Sequence, residues 1–103
     1  MKKEETYARE LISVIQKISR DKKLLREFLL DLLTPQEFNE LPKRWQIVKR
    51  LAKGMPQRQI AKELDVSIAT ITRGSRELLD KKGGFQRTLN RLAQKARSAK
   101  ILS

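Results

Sequence analysis

The chain has no cysteine and no histidine. Disulfides and thiolate chemistry are therefore excluded, and the residues that ordinarily hold zinc are missing. Acids are scarce as well. Twelve Asp and Glu face twenty-four Lys and Arg, a formal net charge of +12 over 103 residues. Aromatic residues make up only 5% of the chain, too few to furnish stacking platforms for RNA bases beyond those needed for a core. The four glycines build no phosphate-cradling loop, and no carboxylate pair lies in an apolar stretch, so the sequence reads as a non-enzyme needing no metal. No long apolar run follows the charged start Met1-Lys2-Lys3-Glu4-Glu5. The expectation is a cytoplasmic, nucleoid-associated protein without a signal peptide or membrane span.

What is present is positive charge in one place. Residues 1–40 hold eight basic and eight acidic side chains, whereas residues 41–103 hold sixteen basic ones against Glu63, Asp65, Glu77 and Asp80. The whole excess lies in the second part, which would gain affinity for a polyanion by releasing counterions, without reading sequence.

Apolar spacing predicts an all-α chain of five or six helices in a single domain over 1–103. Tyr7, Leu11, Val14, Ile15 and Ile18 recur every three or four residues within 5–19. Asp21 is placed to cap the next helix, in which Leu24, Leu25, Phe28, Leu29, Leu30, Leu32 and Leu33 are too dense for one face. A chain this short has little with which to cover such a helix, so residues 1–33 are expected to dimerise, in an intertwined homodimer. Thr34-Pro35-Gln36-Glu37 supplies a cap, a proline at the first helical position and an acid at the third, opening a central segment over 34–54. Pro42 is expected to kink or divide it. Lys43 to Lys53 then carries Trp45, Ile47, Val48, Leu51 and Ala52 on an apolar side, with Trp45 in the core, and Gly54 and Pro56 stop it. Lys81-Lys82-Gly83-Gly84 is a cationic break whose lysines are solvated linker charges able to touch phosphate. Phe85, Leu89, Leu92, Ala93 and Ala96 mark a last helix over 85–100 with a basic opposite side, fraying beyond Arg97.

Residues 56–78 read as two short helices joined by a tight turn, the arrangement that lays one helix in the major groove of DNA. Ile60, Ala61, Leu64, Val66 and Ile71 fall where two steeply crossing helices share a seam, and Ala61 is small enough for a close crossing. Ser67 is placed to cap the second helix. Behind it, Ile68, Ala69, Thr70 and Thr72 offer short side chains, methyls and hydroxyls to base edges, followed by the cation Arg73.

From Leu33 to Leu78 the chain resembles the Trp repressor family. The resemblance is carried by Leu33-Thr34-Pro35, Arg44, Gly54, Gln57-Arg58 and above all the octapeptide Ile68-Ala69-Thr70-Ile71-Thr72-Arg73-Gly74-Ser75. It implies an intertwined all-α homodimer that represses transcription from a double-stranded DNA operator when a small amino acid such as L-tryptophan is bound. By resemblance, Gln57 and Arg58 approach phosphates and a base. Ile68, Ala69, Thr70 and Thr72 face the major groove, with much of the readout running through water. Arg44 and Arg73 match the arginines that sandwich the corepressor's ring, Arg73 also meeting its carboxylate. Gly74 matches a glycine lying against the ligand, where a Cβ would crowd it. Backbone carbonyls of the stretch Asp31, Leu32, Leu33 and Thr34 match those facing the ligand's ammonium. The chain departs from the best-known member at Asp31, where that protein has leucine; at Ala61, where it has lysine; and at Glu77, where it has a serine near the ammonium. The turn before Gln57 is one residue shorter, and Pro42 replaces a small flexible residue.

Two other readings compete. A ligand-independent helix-turn-helix protein, either a repressor relative or a sigma region 4-like domain, would share the helix, the glycine stop, Ile60-Ala61 and Ser67. The sigma-like form would be a monomer or part of a longer chain, which the apolar segment 24–33 argues against. A basic RNA- or ribosome-associated protein is the weaker alternative, for want of exposed aromatics. On charge pattern alone Arg44 and Arg73 are two more solvated cations; the octapeptide is what gives them a site.

Overall fold

Local capping sets the helix starts in the computed structural model, which describes residues 2–102. The described residues form six helices and no strand: α1 (Lys3–Ile18), α2 (Lys22–Leu32), α3 (Pro35–Ala52), α4 (Gln57–Leu64), α5 (Ile68–Leu78) and α6 (Gly84–Leu102). Asp21 caps α2, its carboxylate accepting from the Leu24 amide at 3.1 Å. Thr34 and Glu37 form a reciprocal box at the head of α3. The Glu37 amide donates to Thr34 Oγ1 at 3.2 Å, and the Thr34 amide donates to Glu37 Oε1 at 2.9 Å. Ser67 Oγ accepts from the Thr70 amide at 3.2 Å at the head of α5.

Two expectations need correction. Pro42 does not divide the central segment: α3 runs unbroken from Pro35 to Ala52 with Pro42 inside it. Proline removes one backbone donor there. The capping box secures the helix before it, and burial of Ile47 and Val48 holds it after. The C-terminal helix does not fray at Arg97 but continues to Leu102. After Gly84 it contains no glycine or proline, and Ala93, Ala96 and Ala99 favour helix.

The chain falls into two compact units, one through Glu40 and one from Leu41 onward. In the first, α1 packs on α2. No residue of either helix is buried, and Tyr7, Ile12, Leu24, Leu30 and Leu32 are exposed. The Arg26 guanidinium lies over the Phe38 ring, 5.6 Å from its centroid. The leucine-dense segment thus presents an apolar surface that one copy of the unit leaves open.

The second unit has the core. Ile47, Val48, Ile60 and Ile71 are at most 2% exposed. Ile47 of α3, Ile60 of α4 and Ile71 of α5 meet in one cluster, with Leu51, Met55, Ala61, Leu64 and Val66 packed against it. All five residues of the expected seam, Ile60, Ala61, Leu64, Val66 and Ile71, belong to this cluster. Gly54, at φ +85°, turns the chain out of α3 in a conformation that glycine adopts without a Cβ penalty. Asp65, at φ 53°, does the same after α4, and the Val66 amide donates to the Ala61 carbonyl at 3.2 Å. Arg50 Nε meets Glu63 Oε2 at 3.2 Å, adding a surface tie between α3 and α4.

Two measurements check this packing. Truncation of Ile60 to Ala should destabilise the protein by about 2–5 kcal/mol in urea unfolding, whereas Leu79→Ala, at a residue 79% exposed, should stay within about 0.5 kcal/mol. Glu37 titrates below the ordinary glutamate range, because its carboxylate accepts from the Thr34 amide and side chain. A lowered folded-state pKa gives stability that is present above the unfolded value and lost as pH falls through the folded one. The stability advantage of the wild type over Glu37→Gln should therefore shrink steadily as unfolding is measured at pH values descending through the carboxylate range.

Candidate DNA interface and ligand cleft

Residues 57–78 form the expected helix–turn–helix, α4 and α5 joined by Asp65, Val66 and Ser67. Burial of Ile60 and Ile71 leaves the polar faces outward. Arg58, Ala69, Thr70 and Thr72 are exposed, Ile68 is 46% exposed, and Gln57 is half-buried at the start of α4. Two hydroxyls are already committed. Thr72 Oγ1 donates to the Ile68 carbonyl at 2.9 Å, and Thr70 Oγ1 shares a hydrogen bond with Ser67 Oγ at 2.8 Å. Thr72 therefore offers an outside partner its lone pairs and methyl group, with its proton held by the helix.

Behind α5 lies a cleft of about 580 Å³, a size that suits a small organic ligand. One wall is α3, through Leu41, Arg44, Trp45, Ile47 and Val48; the other is α5, through Ala69, Thr70, Arg73, Gly74 and Glu77. Phe85 at the start of α6 also lines it. The structure thus brings together four of the five residues singled out for a ligand: Arg44, Arg73, Gly74 and Glu77. The fifth, Thr34, belongs to the other unit, where its hydroxyl caps α3. Two guanidinium side chains and one carboxylate are set around an apolar lining. No ion pair joins Arg73 to Glu77 among the described residues, although they are one turn apart on α5.

Sequence reasoning passed over Leu41 and Phe85, and placed Trp45 in the core. Trp45 is half-buried and lines the cleft, because the fully enclosed positions of α3 are Ile47 and Val48. Ala69 and Thr70 were read for DNA alone, yet each also borders the cleft. Gln86 Nε2 donates to the Leu78 carbonyl at 2.9 Å and ties α6 to the end of α5.

Gly74 has a structural reason of its own. A Cβ there would meet Ile47 Cγ2 at 3.2 Å and Leu51 Cδ1 at 3.8 Å. The glycine lets α5 approach α3 closely at the core edge of the cleft. Gly74→Ala gains about 1 kcal/mol of helix propensity, but crowds a side chain that is only 2% exposed. The net effect expected in urea unfolding is destabilisation by about 1 kcal/mol with no ligand added. A more stable variant would show that Ile47 yields and that the glycine serves the ligand alone.

A family model described as Trp repressor protein matches residues 7–93. A Trp operon repressor homolog of Vibrio vulnificus is 48% identical over 64 residues, covering 61% of this chain and 63% of that protein. A Trp operon repressor homolog of Haemophilus influenzae is 48% identical over 60 residues, 57% of this chain and 59% of its own length. One of Vibrio campbellii is 53% identical over 57 residues, 53% and 57% respectively. The chain spans less than two thirds of the length of these relatives. No solved structure matches it.

Proposed function

The chain belongs to the Trp repressor family, and from that premise we propose that it is a sequence-specific DNA-binding repressor, acting as a homodimer, whose affinity for its operator is set by a planar amino acid of the tryptophan kind in the α3–α5 cleft. The observation that carries this reading is the meeting of Arg44, Arg73, Gly74 and Glu77 around one cleft whose wall is the second helix of the helix–turn–helix.

The chemistry follows from the lining. A planar apolar ring fits between the Arg44 and Arg73 side chains, since a guanidinium plane stacks well on an aromatic face. Its carboxylate is drawn to Arg73 and its ammonium to Glu77. Leu41, Trp45 and Phe85 supply apolar contact. A ligand wedged there fixes the spacing of α5 from α3, and α5 presents Ile68, Ala69, Thr70 and Thr72 to base edges, while Gln57 and Arg58 approach the backbone. Ligand and DNA are then linked, each raising affinity for the other by the same factor. The open apolar surface of α1 and α2 is the dimerisation surface, and two-fold pairing sets two recognition helices on two half-sites.

Calorimetric titration tests the reading. L-Tryptophan should bind with a measurable heat, and its deaminated analogue indole-3-propionate should bind at least tenfold more weakly, because it offers Glu77 no ammonium. Arg73→Ala should abolish tryptophan binding while sedimentation still shows a dimer. Glu77→Gln should narrow the gap between the two ligands. Absence of heat with every common amino acid, together with tight DNA binding, would instead identify a ligand-independent repressor.

A further inference from the structure

Charge is distributed along α6 in a way the helix–turn–helix does not use. Residues 81–103 contain seven Lys and Arg and not one Asp or Glu. Within the helix, Arg87, Arg91 and Lys95 recur at four-residue intervals, all exposed. At 3.6 residues per turn that spacing holds them within an arc of about 80°, with steps of about 6 Å along the axis. They line a shallow groove of about 280 Å³ together with Gly84, Thr88 and Leu92. A second groove, between α3 and α6, is lined by Trp45, Lys49, Ala52, Lys53, Leu89, Leu92 and Ala93, so the apolar side of α6 is turned to α3. The match to the family model covers residues 7–93, and Lys95 and Arg97 lie beyond the matched residues.

We propose that the Arg87–Arg91–Lys95 face of α6 is a second nucleic-acid surface that binds the phosphate backbone of duplex DNA without reading its sequence. The inference rests on the DNA-binding reading above but assigns a surface which that reading leaves idle. An acid-free row of cations has no partner on its own helix to neutralise it, and a polyanion supplies one by displacing condensed counterions. The guanidinium forks of Arg87 and Arg91 suit phosphate oxygens, Thr88 adds a hydroxyl, and Lys95 serves as a point charge. An anionic membrane fits less well. A helix that lies on a bilayer inserts a broad apolar face, whereas Leu89, Leu92 and Ala93 of α6 line a groove with α3.

The test is the salt dependence of binding to a random-sequence duplex of about 40 base pairs, measured on the full chain by fluorescence anisotropy. The triple variant Arg87→Gln/Arg91→Gln/Lys95→Gln should lower the slope of log K against log salt by about 2–3 per protomer, and weaken binding at low salt about tenfold or more. A charge-matched control, Lys17→Gln/Lys22→Gln/Lys23→Gln in the other unit, should leave the slope unchanged. Arg87→Lys/Arg91→Lys should keep most of it. Circular dichroism melting establishes that each variant folds. A triple variant with wild-type slope overturns this inference alone, as does a control that loses as much. A wild type that binds no duplex, yet binds phosphatidylserine vesicles through these three residues, overturns both this inference and the DNA-binding reading.

Discussion

The contact between Ile47, Ile60 and Ile71 is the constraint on which the second unit depends. One isoleucine from each of α3, α4 and α5 fills a shared interior at most 2% exposed. Because close-packed side chains admit few arrangements, this cluster anchors α5 against both neighbours at its buried edge. Two surfaces flank that anchored edge. On the side away from α3, Ile68 and Thr72 lie open; on the side toward it, Arg73, Gly74 and Glu77 close a cleft with Arg44 and Trp45. Gly74, lacking a Cβ against Ile47, lets the two helices approach closely where core and cleft join.

The proposed regulation uses this shared helix. A ligand that fills the cleft acts on α5 without touching DNA, and the coupling needs no long path, since Ala69 and Thr70 border the cleft in the first turn of the recognition helix. In the proposed site Glu77 sets the character of the ligand. A carboxylate one turn beyond Arg73 turns a site for organic acids into one for zwitterions, because an anion without an ammonium would face repulsion from Glu77 as well as attraction from Arg73. The backbone contact proposed for the basic groove of α6 is a separate matter, since phosphate contacts carry no sequence information.

Most of the fold was legible in the sequence because its signals are local. Asp21, Thr34 with Glu37, and Ser67 cap the helices they were expected to cap, and the seam from Ile60 to Ile71 has the spacing of two crossing helices. Pro42 does not divide α3, as its local penalty is outweighed by a capping box before it and buried residues after it. Trp45 misled because apolar spacing marks a side of a helix and does not separate its enclosed positions from those on the rim. Of the residues that line the cleft, Arg44, Arg73, Gly74 and Glu77 were singled out through the resemblance that the octapeptide carries. Leu41 and Phe85 were not, since a cleft wall drawn from three helices leaves no pattern in any one of them.

Selection of duplexes from a random-sequence pool by the purified protein, with and without L-tryptophan, tests the central claim most directly. Ligand-linked recognition through α5 predicts one enriched motif with two-fold symmetry when tryptophan is present, and little or no enrichment at the same stringency without it. The same motif enriched equally in both selections would contradict the account.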